Sequence, residues 1–537
     1  MPRKQVRTGP WKGILDTAEP FDDAANPAFL QDATNVYFVS GAAETGALAR
    51  PGFTASSATV TTTAGQASCL YTITTLGGTV YRFFATNGKL YRLTGAGYTT
   101  ATDVTPVGVT ISNAATPTTR MYMVGFADEL IFTDGVNRPW RGTDLSATPI
   151  TGTYIDIDGA AGAWTAQGAP VVYSGTLFFI AKSVPGGSSV EAGVGMIWSE
   201  PFQPETGYVQ STYANFWNLI QTSAEPLYAL WATNTYLYYF REKSIGALVG
   251  SPGVIFSTTA SADSVSTNIG SMAPASICQF GENIYFADAL GRPNMFSGTD
   301  VPQELYLQLD AQIDANPSFL SYPASVALTA ISVVVPQLNL VLMGPWSSSA
   351  AASPPLGPTT LYCFDGRTGQ YYGRWIAATA CGLTTFDSLA QMKDSTGAPI
   401  IAAYTTKTSG AIFSLSLMSA ANWKDNTVVP SITVQTQRLG YSATEVMNAT
   451  EVGTVVTQGT APLTITVKTP YTSSTTEATA IAASSSSDGT YLVRFGMDVV
   501  QARGIQVTLT PTTATAQWIC QHITFPVVTS QVRVDDQ

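Results

Sequence analysis

Hydrophobic residues along this chain come in short bursts separated by Gly, Asn, Asp, Ser and Thr, which is the rhythm of β-strands and tight turns rather than of helices. The stretch Arg120–Gly142, RMYMVGFADELIFTDGVNRPWRG, shows the unit. It predicts a strand over Met121–Phe126, a reversal at Ala127-Asp128, a second strand over Glu129–Thr133, an Asp134-Gly135 turn and a third strand through Pro139 and Trp140. Echoes recur: Tyr81–Leu93 turns at Asn87-Gly88, Asn283–Gly298 carries Asp288 and Gly291 before an Arg-Pro pair, and Leu361–Trp375 uses Asp365-Gly366 and Thr368-Gly369. One such small sheet cannot bury both faces and is marginal alone in water, so the units need one another.

The same texture runs from Ser68 to about Ala420, with further strands expected at Cys69–Thr74, Thr176–Ala181, Leu227–Trp231, Tyr236–Arg241, Ala330–Val335, Leu338–Met343, Ile400–Tyr404 and Ala411–Leu415. At the ~40–50 residues of a propeller blade, that span predicts six to eight small antiparallel sheets closing into a β-propeller, which removes the exposed edges that lone sheets would leave. Helices are few, and Gln303–Ala315 is the best candidate. From Pro430 the strands become longer and evenly alternating, as in a β-sandwich, with the Thr- and Ser-rich Thr472–Gly489 read as a surface loop. The division is 1–60 as an N-terminal segment that is not blade-like, 61–429 as the propeller and 430–537 as the sandwich. Within the first segment, Arg50-Pro51-Gly52 suggests a type II turn, with Gly52 at positive φ.

Composition sharpens this all-β picture. Charged residues make up only 11% of the 537, well below the roughly 25% usual for soluble domains, so much of the surface is uncharged polar or is covered by neighbouring subunits. The net charge of −11 argues against a nucleic-acid reader or an anionic-membrane binder, and it does not exclude a surface past which DNA slides without adhering. No apolar run approaches the ~20 residues of a membrane helix, and the start, MPRKQVRTGPWKGIL, has no apolar signal-peptide core. Arg3, Lys4 and Arg7 read as a disordered or partner-docked arm rather than a DNA contact. The five cysteines (Cys69, Cys278, Cys363, Cys381, Cys520) are scattered and read as buried small hydrophobes in a reducing compartment.

Candidate chemistry is sparse. The single histidine, His522, lies in an alternating strand and reads as structural; with scattered cysteines it gives neither an ordinary zinc site nor a catalytic triad beyond one through itself. Asp156-Ile157-Asp158-Gly159 begins like a calcium loop but lacks the later ligands, so it reads as a turn. Gly193-Val194-Gly195 is too short for a dinucleotide fingerprint. A glycosidase needs two carboxylates ~5–10 Å apart, and Asp134, Asp288 and Asp365 recur in the repeat. Each sits at a turn beside a glycine or, for Asp288, three residues before one, where Asp caps its own backbone, and turn chemistry is the expected role. No catalytic residue, metal or cofactor is expected.

The order of segments resembles a known family. Asn35–Phe53, NVYFVSGAAETGALARPGF, is followed by the FTDGVNRPWRG unit, then by Ser271–Asp300, by LNLVLMGPW and LYCFDGRTGQYYGRW, and finally by ARGIQVTL (Ala502–Leu509). This is similar to the β-propeller tail nozzle or tail tubular proteins of short-tailed bacteriophages, close in style to packaged-DNA stabilisation proteins. The resemblance implies a non-enzymatic virion protein whose N-terminal segment and C-terminal sandwich form a platform, with Arg50, Pro51 and Gly52 as its turn. It implies a homo-oligomeric ring of six copies at the distal end of the tail. Such a ring would bind the tail adaptor or head-to-tail connector and have neighbours among fibres or spikes. It would hold packaged DNA back and later conduct it without sequence-specific binding or membrane insertion. The rival readings are a carbohydrate-binding or carbohydrate-cleaving tail protein, and a receptor-binding propeller contacting a host glycan or outer-membrane protein.

Overall fold

In a computed structural model, the residues described are 3–8, 11, 13–14, 29–40, 45–56, 68–95, 98–112, 120–157, 164–185, 188, 190–205, 215–218, 225–249, 263–305, 330–344, 358–376, 383, 385–394, 397–404, 412–415, 430–436, 439–440, 445–449, 453–458, 463–469, 472–479, 490–495, 499–502, 504–511 and 519–531. Among these the regular structure is almost wholly β, with two short 3-10 turns, Pro274–Ser276 and Pro336–Leu338.

Among the described residues, seven groups of antiparallel strands follow one another along the chain as blades of a propeller, the sixth forming one end of an 11-stranded sheet: blade 1 (68–103), blade 2 (122–154), blade 3 (165–218), blade 4 (227–266), blade 5 (278–304), blade 6 (331–376) and blade 7 (388–415). Blades 1 to 5 each hold four antiparallel strands in sequence order. The ring closes because side chains alternate across each second strand. Phe83 and Ala85 pack toward blade 2 in one apolar core while Phe84 packs toward blade 7 in another. Leu130 and Phe132 face blade 1, and Ile131 faces blade 3. The pattern continues through Leu237 and Tyr239 against Tyr238 and Phe240, and through Ile400, Ala402 and Tyr404 against Ile401 and Ala403. The Phe84 and Tyr404 rings, 4.6 Å apart, bring the last blade back to the first. Strands buried on both faces need apolar or aromatic residues at successive positions, which is why their central stretches Phe83-Phe84-Ala85, Leu130-Ile131-Phe132 and Leu237-Tyr238-Tyr239-Phe240 are unbroken runs of such residues. Truncating one such aromatic costs about 3–5 kcal/mol.

Blade 7 completes itself from the far end of the chain. Its three strands, Ser388–Lys393, Pro399–Tyr404 and Ile412–Leu415, are joined by Phe53–Ala55, which pairs Phe53 with Leu415 and Ala55 with Phe413. The boundary at residue 60 is thereby corrected: residues 53–55 belong to the propeller, since pairing the start of the chain with its last blade ties the ring shut and covers that blade's edge.

The remaining N-terminal and C-terminal strands interleave in two larger sheets, the platform. In one, Phe29–Thr34, Thr433–Thr436, Gly504–Pro511, Leu463–Thr469 and Thr472–Thr479 follow one another, and Phe29–Thr34 also meets the outer strand of blade 6 (Tyr371–Ile376) in parallel at Thr34 and Arg374. In the other, the long strand Ile519–Gln531 pairs with Arg3–Thr8, Thr45–Ala49, Glu445–Ala449 and Gly453–Gln458. Three expectations change here. Arg3–Thr8 is a strand of the sheet rather than a free arm. Thr472–Thr479 is a strand, because its threonines suit β structure and Leu463–Thr469 offers a partner. Gln303–Glu304 closes blade 5 as a strand, and residues 306–315 of the helix candidate lie outside the described residues.

Candidate functional site

The repeat turns are built as the residue types dictate. Asn87 (φ 52°) and Gly88 (φ 71°) are both left-handed, as a two-residue type I′ hairpin between Val80–Thr86 and Lys89–Thr94 requires. Asp134 is buried at the end of Glu129–Thr133: Oδ1 accepts the N–H groups of Val136 (3.0 Å) and Asn137 (2.7 Å), and Oδ2 accepts Asn137 Nδ2 (2.7 Å) and the Ser112 N–H (2.8 Å). Gly135, at φ 71°, supplies the left-handed step. Asp288 repeats the device, accepting the N–H groups of Leu290 (2.8 Å) and Arg292 (2.9 Å) and pairing with Arg292 Nε at 2.8 Å, with Gly291 at φ 81°. Burial pushes its carboxyl above the ordinary range, and the Arg292 charge pulls it back. Asp365 accepts the N–H groups of Arg367 (2.9 Å) and Thr368 (2.8 Å), and its Oδ2 accepts the Tyr372 hydroxyl (3.0 Å). Its neighbour Gly366 is not left-handed; Gly369 is, at φ 70°. Gly366 is required by packing instead, since a Cβ there would lie 2.6 Å from the Phe280 ring of blade 5.

These carboxylates do not converge. Asp134 and Asp288 follow second strands of blades 2 and 5, whereas Asp365 follows the third strand of blade 6. Connections alternate between the two faces of the ring. Asn283, at the first hairpin of blade 5, donates to the carbonyls of Gly366 (3.3 Å) and Arg367 (2.9 Å), which fixes the Asp365 turn on the face of the first hairpins. Asp134 and Asp288 end on the other face. Each is occupied by hydrogen bonds, those of its own turn and, for Asp134, the Ser112 N–H as well.

The other candidates stand apart as well. Asp156 forms an ion pair with Arg138 at 2.6 Å, and Asp158 lies outside the described residues. His522 is in Ile519–Gln531, opposite Val456. Burial raises the thiols of Cys69 and Cys278 to about 12 and lifts those of Cys363 and Cys520 as well, so they are un-ionised at neutral pH; Cys381 lies outside the described residues. Among the described residues no group of three or more His, Cys, Asp or Glu could hold a metal ion.

What the fold does bring together is a buried junction between platform and propeller. Asn35 links Phe29–Thr34 to Val36–Ser40 at φ 56°, a conformation that Asn tolerates better than most residues. Its N–H donates to the Arg374 carbonyl (2.7 Å) of blade 6, and its Nδ2 to the Ser431 carbonyl (2.7 Å) of the C-terminal part. Its Oδ1 accepts Arg50 Nε (2.9 Å) and the Ile376 N–H (2.8 Å). Arg50, fully buried, donates further to the carbonyls of Pro51 (2.9 Å) and Ile376 (3.1 Å) and lies over the rings of Phe53 (5.6 Å) and Trp375 (5.9 Å). Trp375 donates to the Val36 carbonyl at 2.9 Å, and Arg374 pairs with Asp32 at 2.9 Å. Pro51 and Gly52 form no turn, and Gly52 is not left-handed. The type II turn is corrected because the chain here crosses from the platform strand Thr45–Ala49 to the blade strand Phe53–Ala55 and must run onward rather than reverse.

Sequence reading placed Arg50 in the platform but did not connect it with Asn35 and Trp375, nor Asp32 with Arg374. One signal was legible: an Asn between the β-branched Thr34 and Val36, where a strand pattern breaks without a glycine.

No protein-family model matches the chain, and no curated protein matches it in sequence. Among solved structures it is similar to BBS1N in complex with ARL6DN (10% identity, TM-score 0.41, 70% of this chain and 100% of that one). It is also similar to the computationally designed Ika8 protein (8% identity, TM-score 0.34, 68% and 100%). A third similarity is to an exo-β-1,3-galactanase of Phanerochaete chrysosporium (11% identity, TM-score 0.27, 81% and 100%). Likeness this distant carries no argument about function.

Proposed function

We propose that the chain is a structural ring subunit of a viral tail, similar in role to tail nozzle or tail tubular proteins. Its task in this reading is to wall a passage that retains packaged DNA and then conducts it. The observation that carries the reading is the junction. Two segments on which the resemblance rests, ALARPGF and YYGRW, are far apart in sequence and meet through Arg50, Phe53 and Trp375 in one buried contact. A propeller welded to a platform made from both chain ends suits a load-bearing wall, in which blades must not swing relative to their mounting. Scarce surface charge suits a molecule flanked by copies of itself, because interface cores shun Lys, Glu and Asp. An excess of carboxylates over basic groups suits a wall that DNA passes without sticking.

Mass photometry and negative-stain imaging of the purified full chain test this. Rings, six-fold by the family resemblance, are the expected result, with antibody label at the distal end of the virion tail. A chain that stays monomeric at micromolar concentration and cleaves or binds polysaccharide would overturn it in favour of the carbohydrate reading.

A further inference from the structure

Aromatic rings fill the cores between blades, yet Phe202 is 72% exposed. Pro201 and Phe202 are the central residues of a turn in blade 3, closed by the Gln203 N–H on the Glu200 carbonyl at 3.2 Å. With φ 57°, Phe202 holds the left-handed place that glycine or asparagine normally takes in such a turn. A bulky residue there is strained, and strain of this kind persists where the surroundings impose it, as they do at binding sites. Here the Phe202 N–H donates to the Gly175 carbonyl at 2.7 Å, and a Cβ on Gly175 would lie 2.6 Å from the ring. The ring is therefore held over the Ser174-Gly175 hairpin while most of its surface faces solvent.

Polar groups gather on the same face. Glu205 lies three residues further along, which the chain spans in at most ~11 Å. One of its oxygens is 3.7 Å from Nη1 of Arg141 in blade 2, too long for a hydrogen bond. The same Nη1 holds both oxygens of Glu129, at 2.8 and 3.0 Å. Glu129 follows the Ala127-Asp128 hairpin, so this cluster and Phe202 share the face of the first hairpins. Among the described residues the Arg141 side chain engages the protein through Nη1 alone, and neither Nε nor Nη2 is sealed off from solvent. The Glu205 side chain is 43% exposed, with its oxygens free to accept. Burial raises the Glu129 carboxyl against the pull of Arg141.

We infer that Phe202, Arg141 and Glu205 form a binding site for a neutral saccharide. The apolar C–H face of a sugar stacks on the ring, and its adjacent hydroxyls meet the Arg141 donors and the Glu205 acceptor. A few placed polar groups beside an apolar platform are what fix a small ligand. Two carboxylates on one guanidinium leave the cluster net negative, which turns away the phosphates of a nucleotide that could stack on the same ring. The guanidinium in turn opposes the lysine of a protein partner. All these groups belong to one chain, so the site needs no second copy and goes beyond the ring reading.

Screening the purified full chain on an array of neutral hexose oligosaccharides, then titrating the strongest binder by calorimetry, tests this. Wild type should bind, and Phe202→Trp, which keeps a ring, should stay within about threefold of it. Phe202→Gly should weaken binding at least about tenfold yet melt no lower than wild type, because glycine sits at ease in the left-handed turn. Three results would overturn the site: no bound oligosaccharide, wild-type binding by Phe202→Gly, or loss of binding only together with a fall in melting temperature. None of them bears on assembly, so the ring reading is judged separately by particle size.

Discussion

Blades 1 to 5 and the junction around Arg50 solve the same problem by opposite means. Each of those blades is one stretch of chain whose strands pair with their sequence neighbours, and tight turns such as Asn87-Gly88, Ala127-Asp128 and Asp134-Gly135 carry their own Asn, Asp or Gly. The junction is assembled from residues near 35, 50, 375 and 431, and beside the short-range bonds from Arg50 to Asn35 and Pro51 its polar groups depend on partners hundreds of residues away. Local stapling makes a blade tolerant, because losing one turn frays one hairpin. Non-local stapling makes the junction brittle, because one buried guanidinium serves three separate segments. Mutations of similar chemistry should therefore cost more at the junction than in a blade.

The largest effect is expected at Arg50. Arg50→Ala leaves Asn35 Oδ1 and the carbonyls of Pro51 and Ile376 without their buried donor and removes a side chain packed on Phe53 and Trp375. The loss should be about 3–5 kcal/mol. Urea unfolding followed by tryptophan fluorescence measures it, and an early transition ahead of the remaining blades is the expected form, since several cores need not unfold together. A loss under about 1 kcal/mol would abolish the contrast between the regions.

Asn35 separates backbone from side chain. Asn35→Ala forfeits the bonds to Ser431, Arg50 and Ile376 and holds a Cβ at φ 56°. Asn35→Gly forfeits the same bonds but relieves the backbone, so it should be the milder by about 1 kcal/mol. Equal losses in the two variants would mean that the left-handed step carries none of the cost.

The same division explains what could be read from sequence. The blades were legible because everything that makes them is local: an apolar run for a strand buried on both faces, then Asp134-Gly135 or Asn87-Gly88 for the reversal. Their number was bounded by chain length and spacing. The strand Phe53–Ala55 was not legible as part of blade 7, because three residues carry no periodicity and their partner lies at Phe413–Leu415. Pro51-Gly52 misled for the same reason: the pair has turn chemistry, but tertiary routing kept the chain extended. Thr472–Gly489 read as a surface loop from its Ser and Thr content; Leu463–Thr469 makes Thr472–Thr479 a strand, and residues 480–489 lie outside the described residues. The turn chemistry of the candidate carboxylates was local, a glycine following Asp134 and Asp365 directly and Asp288 three residues on, whereas the face each occupies follows from strand count within the blade.

A smaller loss is expected from Asp134→Ala. The N–H groups of Ser112, Val136 and Asn137 lose their acceptor, at a cost of about 1–3 kcal/mol. The damage should stay local: the Ser112 amide should exchange faster, while amides of Val36 and Ile376 at the junction keep their wild-type protection. Faster exchange at Ile376 would show that blades and junction are coupled after all.

The smallest effect is a pH dependence that both regions share. Burial raises the carboxyl of Asp32 at the junction, with Arg374 opposing it, and raises that of Asp288 in blade 5, with Arg292 opposing it. A carboxyl with a raised folded value holds its proton more tightly in the native protein than in the unfolded chain. Its contribution to stability is therefore complete below the ordinary carboxylate value and is lost as pH rises through the higher folded value. Over that acidic window these two groups should make the protein slightly more stable as pH falls. That runs against the trend of surface carboxylates such as Asp103, whose value is lowered; there burial raises it, but hydrogen bonds from Lys89 and Thr105 and the Lys89 charge outweigh that. Comparing urea midpoints of wild type, Asp32→Asn and Asp288→Asn across that window reads the two apart. Each substitution should flatten its own part of the slope, and Asp32→Asn should act on the early transition assigned to the junction. A flat profile in wild type, with no change in either Asn variant, would show that Arg374 and Arg292 fully offset the burial of their partners.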